Sequence, residues 1–233
     1  MALYNFSFAE EFKTLDYIIE KAGRSMFEKP MKEKFSSLEG KNISDERWLL
    51  LDIKKYCNGN FSRWTGSQNL KYIETGEKRY YGVPFKIISE EEQLQTCIIT
   101  KSEIIDGVYD VKIPVNRKVE AIYFLHANYY ASPEEIGERK FTIEYSDGTS
   151  EGLSLIGEEN MFDWWPQKRT ENENLKYVLV RTSESFKPPY RNLYIIQWKN
   201  PFNEKVISNV GFHSDGKGMR ATIIIGITLL LNE

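Results

Sequence analysis

An antiparallel β-sandwich is the fold class this sequence predicts, and three observations predict it. Short aromatic-rich segments follow one another through the last third, broken by turns: Tyr145-Ser146-Asp147-Gly148-Thr149, Phe162-Asp163-Trp164-Trp165, and Tyr194-Ile195-Ile196-Gln197-Trp198-Lys199-Asn200-Pro201. Helical windows are scarce after residue 44, so the crossover helices that a parallel α/β sheet requires are missing. The closing run Ala221-Thr222-Ile223-Ile224-Ile225-Gly226-Ile227-Thr228-Leu229-Leu230-Leu231 is too short to cross a bilayer and too β-branched for a helix, so it reads as a final buried strand.

The N-terminal part follows a different rule. Phe8, Phe12, Leu15, Ile18, Ile19 and Ala22 recur at helical spacing with charged residues between them. Gly23 or Lys29-Pro30 interrupts that pattern, and residues 31–38 suit a second short helix. The polar stretch 36–44, with Gly40, is the expected linker. This divides the chain into a helical appendage or linker, 1–43, and a β-sandwich domain, 44–233.

Strand grammar begins at Trp48. Residues 48–53 form an apolar run that ends in Cys57-Asn58-Gly59-Asn60, a turn signal. Tyr80-Tyr81-Gly82-Val83-Pro84-Phe85-Lys86-Ile87-Ile88 reads as one strand, as do Cys97-Ile98-Ile99, residues 109–113 and residues 121–127. Phe141-Thr142-Ile143-Glu144-Tyr145 alternates cleanly into a Ser146-Asp147-Gly148-Thr149 hairpin turn. Residues 151–155, 177–180, 193–198, 206–212 and the terminal run complete a set of roughly ten short strands, which suits a jelly-roll sandwich.

Composition narrows the function. The 233 residues are 41% hydrophobic and 14% aromatic, enough for a core, and the net charge is −3 with basic and acidic residues interspersed. No basic stripe exists to follow a phosphate backbone, so neither nucleic acid nor membrane is an expected partner. Glu10 and Glu11 occupy the N-terminal stretch where a signal peptide would carry basic and apolar residues, so the expected setting is cytoplasmic, or a fragment of a larger protein. Cys57 and Cys97 lie in no CxxC pair and are expected to be free thiols.

Several pieces, taken in order, resemble the galactose-binding-like β-sandwich domains, carbohydrate-binding-module-like, that accompany bacterial glycoside hydrolases. They are residues 48–60, Gly82-Val83-Pro84-Phe85, Ile113-Pro114-Val115-Asn116-Arg117-Lys118 leading to Tyr123-Phe124-Leu125-His126-Ala127, the Tyr-x-Asp-Gly hairpin, Asp163-Trp164-Trp165, and Trp198-Lys199-Asn200-Pro201. The resemblance spans about residues 45 to 231. It implies a noncatalytic module whose sugar contacts come from loops at one end of the sandwich, working beside a catalytic domain. It also implies a structural calcium ion in many such domains, but the chain has no Dx[DN]x[DN]G-like loop from which to assign ligands.

Sugar recognition needs aromatic faces for pyranose C–H patches and amides, carboxylates or guanidinium groups for hydroxyls. Trp164 and Trp165, with Asp163, Pro166, Gln167 and Arg169, form the first candidate cluster; the alternative is a pair of rings plugging the sandwich end. Trp64 with Arg63, Gln68 and Asn69 is the second, and Tyr129 and Tyr130 with Asn128 the third, both in loops after strands. Trp198 belongs to an alternating strand and is expected in the core. His126 follows an apolar strand with no nucleophile motif nearby, so a hydrogen-bonded structural role is expected, and two isolated histidines make a zinc site improbable.

Glu144, Asp147, Glu151, Glu158, Glu159 and Asp163 could supply the carboxylate pair of a glycosidase, yet most fall at solvated strand positions or turn tips. Asp215-Gly216-Lys217-Gly218 lacks Walker spacing and reads as a turn, and Phe186-Lys187-Pro188-Pro189-Tyr190 as a stiff connection. The expected function is therefore noncatalytic carbohydrate binding, or structural support, in a polysaccharide-processing system. A protein-interaction scaffold and a glycoside hydrolase are the competing classes.

Overall fold

A computed structural model describes residues 34–61, 70–130, 137–165, 172–181 and 190–232. Of the expected helical appendage, 1–43, residues 1–33 lie outside them, and where a second helix is expected over 31–38 the described part holds only a 3-10 turn at Ser36–Leu38. The described chain is all β with three short 3-10 turns, at Ser36–Leu38, Asp45–Arg47 and Lys54–Tyr56, and no α-helix among the described residues. The strands are β1 (Trp48–Leu50), β2 (Gly76–Tyr80), β3 (Val83–Ile87), β4 (Ile98–Ile99), β5 (Asp110–Tyr129), β6 (Arg139–Tyr145), β7 (Ser150–Ser154), β8 (Leu175–Arg181), β9 (Tyr190–Lys199), β10 (Val206–Ser214) and β11 (Ala221–Leu231). Nine of them share one antiparallel hydrogen-bonded sheet, and β2 and β3 form a separate hairpin.

Strand β5 makes the nine-stranded sheet into two layers. Its first half, from Asp110 to Lys118, pairs with β10, which pairs with β6 and then β7. Its second half pairs with β11 on one side and β9 on the other, and β9 with β8. A straight strand of that length would separate its ends by about 60 Å. The link from Ser214, beside the start of β5, to Ala221, opposite Tyr129, can span at most about 25 Å, so β5 must bend back. The bend falls at Asn116, whose φ is 54°, beside a bulge in β10 between Ile207 and Asn209. Residues 109–113 and 121–127, expected as separate strands, are thus the arms of one corner strand.

Side-chain periodicity records the two environments. Val111, Ile113 and Val115 alternate with exposed residues, as in a layer wet on one face, whereas residues 121–129 are all buried. Between the layers lie Ile122, Phe124, Tyr194, Ile196 and Trp198 from one side and Phe141, Ile143, Val210 and Phe212 from the other. Phe124 and Phe141 stack across that interface with centroids 3.8 Å apart. Burying each such ring contributes about 1.5–3 kcal/mol. Trp198 is in this core, as expected, and the apolar run 221–231 is β11, the central strand between β5 and the short strands β1 and β4. No helix of the described residues is long and apolar enough to cross a membrane.

The far face of the β5–β9–β11 layer is covered as well, which explains why these strands read as continuous apolar runs. Tyr123, Leu125, Ile195, Ile223 and Ile225 face Val83, Phe85 and Ile87 of the hairpin, with Phe35, Leu38 and Trp48. Residues 80–88, expected as one strand, instead turn at Tyr81-Gly82: Tyr80 pairs with Val83, and both turn residues have positive φ, 51° and 85°. A two-residue primed turn requires that handedness, which Gly82 supplies without strain. The bulky Tyr81 is held there by its hydroxyl, donating to the Tyr177 carbonyl at 2.6 Å. Phe35 and Leu38, on the appendage side of the boundary placed at 43/44, are buried in this core and Phe35 packs edge-on against Tyr123.

Candidate functional site

The corner in β5 sorts the connections into two ends. At one end lie the bend itself, the 146–149 turn and the 200–205 turn. At the other end β5 both begins and finishes, β6, β9 and β11 begin, and β7, β8 and β10 finish, so the long connections all start there.

The candidate residues Asp163, Trp164, Trp165, Asn128, Tyr129 and Tyr130 come together at this loop-rich end. Trp164 is inserted between the ends of β5 and β9: its N–H donates to the Asn128 carbonyl at 2.9 Å and its carbonyl accepts from Asn192 N–H at 2.7 Å. The segment 162–165 therefore continues the hydrogen-bond ladder where β5 and β9 diverge. Asn128 Nδ2 donates to the Phe162 carbonyl at 3.2 Å, and Asn192 Nδ2 to that of Trp165 at 3.2 Å. Tyr194 Oη donates to the Asp163 carbonyl at 3.1 Å.

This placement corrects part of the expected sugar platform. Trp164 is 0% exposed, its ring edge-on to Tyr129 at 5.4 Å, and Asn128 and Tyr129 are buried too, so none of the three presents a face to a ligand. The ladder insertion is the physical reason: a residue bonded on both sides within a sheet end sends its ring into the core. Asp163 Oδ1 accepts from Trp165 N–H at 2.8 Å, which forms the local turn. Trp165 is half-buried, with the Arg191 guanidinium 4.0 Å from its ring centroid. Burial pushes the Arg191 pKa down to about 10 against the opposing pull of Asp163. Tyr130 is 47% exposed and stands edge-on to Tyr129 at 4.4 Å. Trp64, Arg63 and Arg169 lie outside the described residues.

His126 is fully buried between Phe141 and Tyr194, as a structural residue should be. The expected hydrogen bond is at most weak: neither ring nitrogen meets hydrogen-bond geometry among the described residues, and the Asn128 side chain is the polar group that acts on the ring. Burial pushes its pKa down to about 3, with a small opposing effect from Asn128. Cys57 and Cys97 are free and buried, and burial raises the Cys57 thiol to about 12.

A cleft of about 770 Å³ lies beside β4 among the described residues, within the range of ligand pockets. It joins the 54–60 loop, residues 93–95 and residues 104–106. Two contacts fix its shape. Asn58 uses its amide in place of a strand neighbour, accepting from Ile99 N–H at 2.7 Å and donating to the Ile99 carbonyl at 2.9 Å. Gly59 lies so close to Ile99 that a Cβ there would fall 2.0 Å from its Cδ1. Ile99, Ile104, Ile105 and Leu94 supply apolar wall, and Asn58, Asn60, Gln93 and Gln95 supply amides.

Of the lining residues, sequence patterns single out the Cys57-Asn58-Gly59-Asn60 turn and Ile99 of the 97–99 strand. Gln93, Gln95, Ile104 and Lys55 carry no periodic signal, because their meeting depends on which edge β4 pairs with. None of the six acids weighed for hydrolysis lines the cleft. Glu144 is bound to Lys112 and, at 3.0 Å, to Asn209; Asp147 is bound to Lys205 at 2.8 Å. Among the described residues no three His, Cys, Asp or Glu side chains come together in a way that could hold a metal. Neither a scan against protein-family models nor a search of curated proteins returns a match for this chain.

Proposed function

We propose that this protein is a noncatalytic carbohydrate-binding module of galactose-binding-like, jelly-roll type, serving a polysaccharide-processing system. The observation that carries the reading is the cleft beside β4: a preformed hollow with aliphatic walls and an amide rim, at the sandwich end where the long connections gather. That combination fits a polyhydroxylated ring, whose C–H faces lie on apolar surface while its hydroxyls exchange hydrogen bonds with amides. Exposed Tyr130 and half-buried Trp165 offer ring surface at the same end.

Calorimetric titration against a panel of plant and bacterial glycans tests this. Binding of at least one glycan, lost in Ile104→Arg and kept in Tyr130→Ala, supports the cleft as the site. Loss in Tyr130→Ala alone moves the site to the aromatic cluster, and no heat with any glycan overturns sugar binding. A protein-docking role is the second reading, favoured by the exposed side chains of Tyr109, Tyr130, Ile156 and Met219 at this end. A glycan-silent chain that co-elutes with a neighbouring catalytic domain, and ceases to after Tyr109→Asp, would establish it.

A further inference from the structure

We propose that the cleft selects an acidic glycan, one whose rings carry carboxylates, with Lys55 as counter-charge and Gln93 as a fixed hydroxyl acceptor. This rests on the reading of the cleft as a sugar site and adds the class of sugar. Three charged side chains line it: Lys54, Lys55 and Asp106. Two are already answered from outside the lining. Lys54 Nζ sits 2.6 Å from Glu92, and Asp106 Oδ1 accepts from Lys101 Nζ at 3.2 Å.

Lys55 differs. Its ammonium lies 4.9 Å from the centroid of the Tyr56 ring and has no carboxylate partner among the described residues. A cation over a ring face keeps its full charge, so the cleft carries one uncompensated positive group. Gln93 is held from the other direction. Its Nε2 donates to the Lys54 carbonyl at 3.1 Å and to the Gln95 carbonyl, which fixes the amide, while its Oε1 receives no hydrogen bond from the described residues. A set acceptor and a lone cation lining one cleft with aliphatic wall match a hydroxylated ring that bears a carboxylate better than a neutral one.

The test compares an oligogalacturonate, its fully methyl-esterified form, and a sulfated neutral oligosaccharide by calorimetry. Esterification removes the charge and keeps the ring. The uronate should bind about three- to fivefold more tightly than its ester, the scale of an exposed ion pair. Lys55→Gln should erase that difference, Lys55→Arg should keep it, and added salt should shrink it. Gln93→Leu should weaken uronate and ester alike. Equal binding of uronate and ester, a preference that survives Lys55→Gln, or tighter binding of the sulfated sugar overturns the acidic class while sugar recognition stands. Absence of binding to all three and to the neutral panel overturns both.

Discussion

The two ends of the sandwich are built from different materials. The closed end is stitched by short polar contacts between neighbouring turns. Tyr145 Oη donates to Asn200 Oδ1 at 2.7 Å, Asn200 Nδ2 to the Val119 carbonyl at 2.8 Å, and Lys205 pairs with Asp147 at 2.8 Å while lying over Tyr145 and Phe202. Arg47 ties β1 to the corner through Glu120 at 2.7 Å and the Leu231 carbonyl. The loop-rich end adds buried rings and guanidinium groups to the amide contacts of Asn128 and Asn192, with Trp164 as its bolt, and it leaves Tyr109, Tyr130, Ile156 and Met219 exposed. Rigid polar stitching suits an end that only closes the fold. An end that keeps a cleft open draws its order from the core beneath as well as from local amide contacts such as those of Asn58.

The sharpest way to break this comparison is to remove the bolt. Trp164→Ala deletes a fully buried indole, and truncations of that size lower stability by about 3–5 kcal/mol. Trp165→Ala removes a half-buried ring that packs against the edge of the core and carries the Arg191 guanidinium, a stack worth about 0.5–2 kcal/mol. Urea unfolding of both variants should reproduce that order; a larger loss from Trp165→Ala would make the outer ring the bolt.

At the closed end Asn200 is the side chain to remove. It serves Tyr145 Oη, the Val119 carbonyl and, at 3.0 Å, Phe202 N–H. Asn200→Ala leaves buried polar groups unsatisfied and should lower stability by about 1–3 kcal/mol, with glycan binding at the other end unchanged. A change in binding would show that the two ends are coupled through β9 and β10.

Acid separates the ends by a different route. His126 is neutral in the fold, with its pKa near 3, but takes up a proton once unfolded, where its ordinary value is 6.5. Below that value the unfolded state holds the extra proton, so stability falls as pH falls; the loss between pH 7 and 5.5 is about 1 kcal/mol. Asp147 is held below the usual carboxylate range by Lys205 and Thr149, so its contribution is present above 3.8 and fades only as pH drops beneath that value. Denaturation midpoints at pH 7 and 5.5 should shift in the parent and much less in His126→Leu. An equal shift in both would assign the acid sensitivity elsewhere.

How much of this was legible beforehand follows from the range of each interaction. The 146–149 hairpin was readable because Asp147, Gly148 and Thr149 write the turn locally; Asp147 Oδ1 accepts from Thr149 N–H at 2.9 Å. The terminal strand, Trp198 and the free cysteines were readable from patterning. The β2–β3 hairpin was not, because Tyr81 carries a positive φ that its own chemistry disfavours and that the contact with Tyr177, far along the chain, sustains. The same limit governs the site. Asp163-Trp164-Trp165 looks like a surface platform in one dimension, and only the gap between β5 and β9 shows why its first indole is sealed in.

The smallest expected effect sharpens what the loop-rich end is for. Tyr130 holds φ at 57°, a left-handed conformation that costs a non-glycine residue about 1–2 kcal/mol. Its edge-on contact with Tyr129 returns about 0.5–1.5 kcal/mol. Tyr130→Gly removes both, so the terms nearly cancel and stability should change by less than about 0.5 kcal/mol. Strain that adds nothing to the fold persists where a surface needs the side chain in place. Tyr130→Gly should therefore weaken docking of a partner domain at this end, with glycan binding in the cleft kept and an unfolding midpoint that matches the parent's. A variant that is clearly less stable, with binding intact, would make the ring part of the core packing and leave the cleft as the recognition surface.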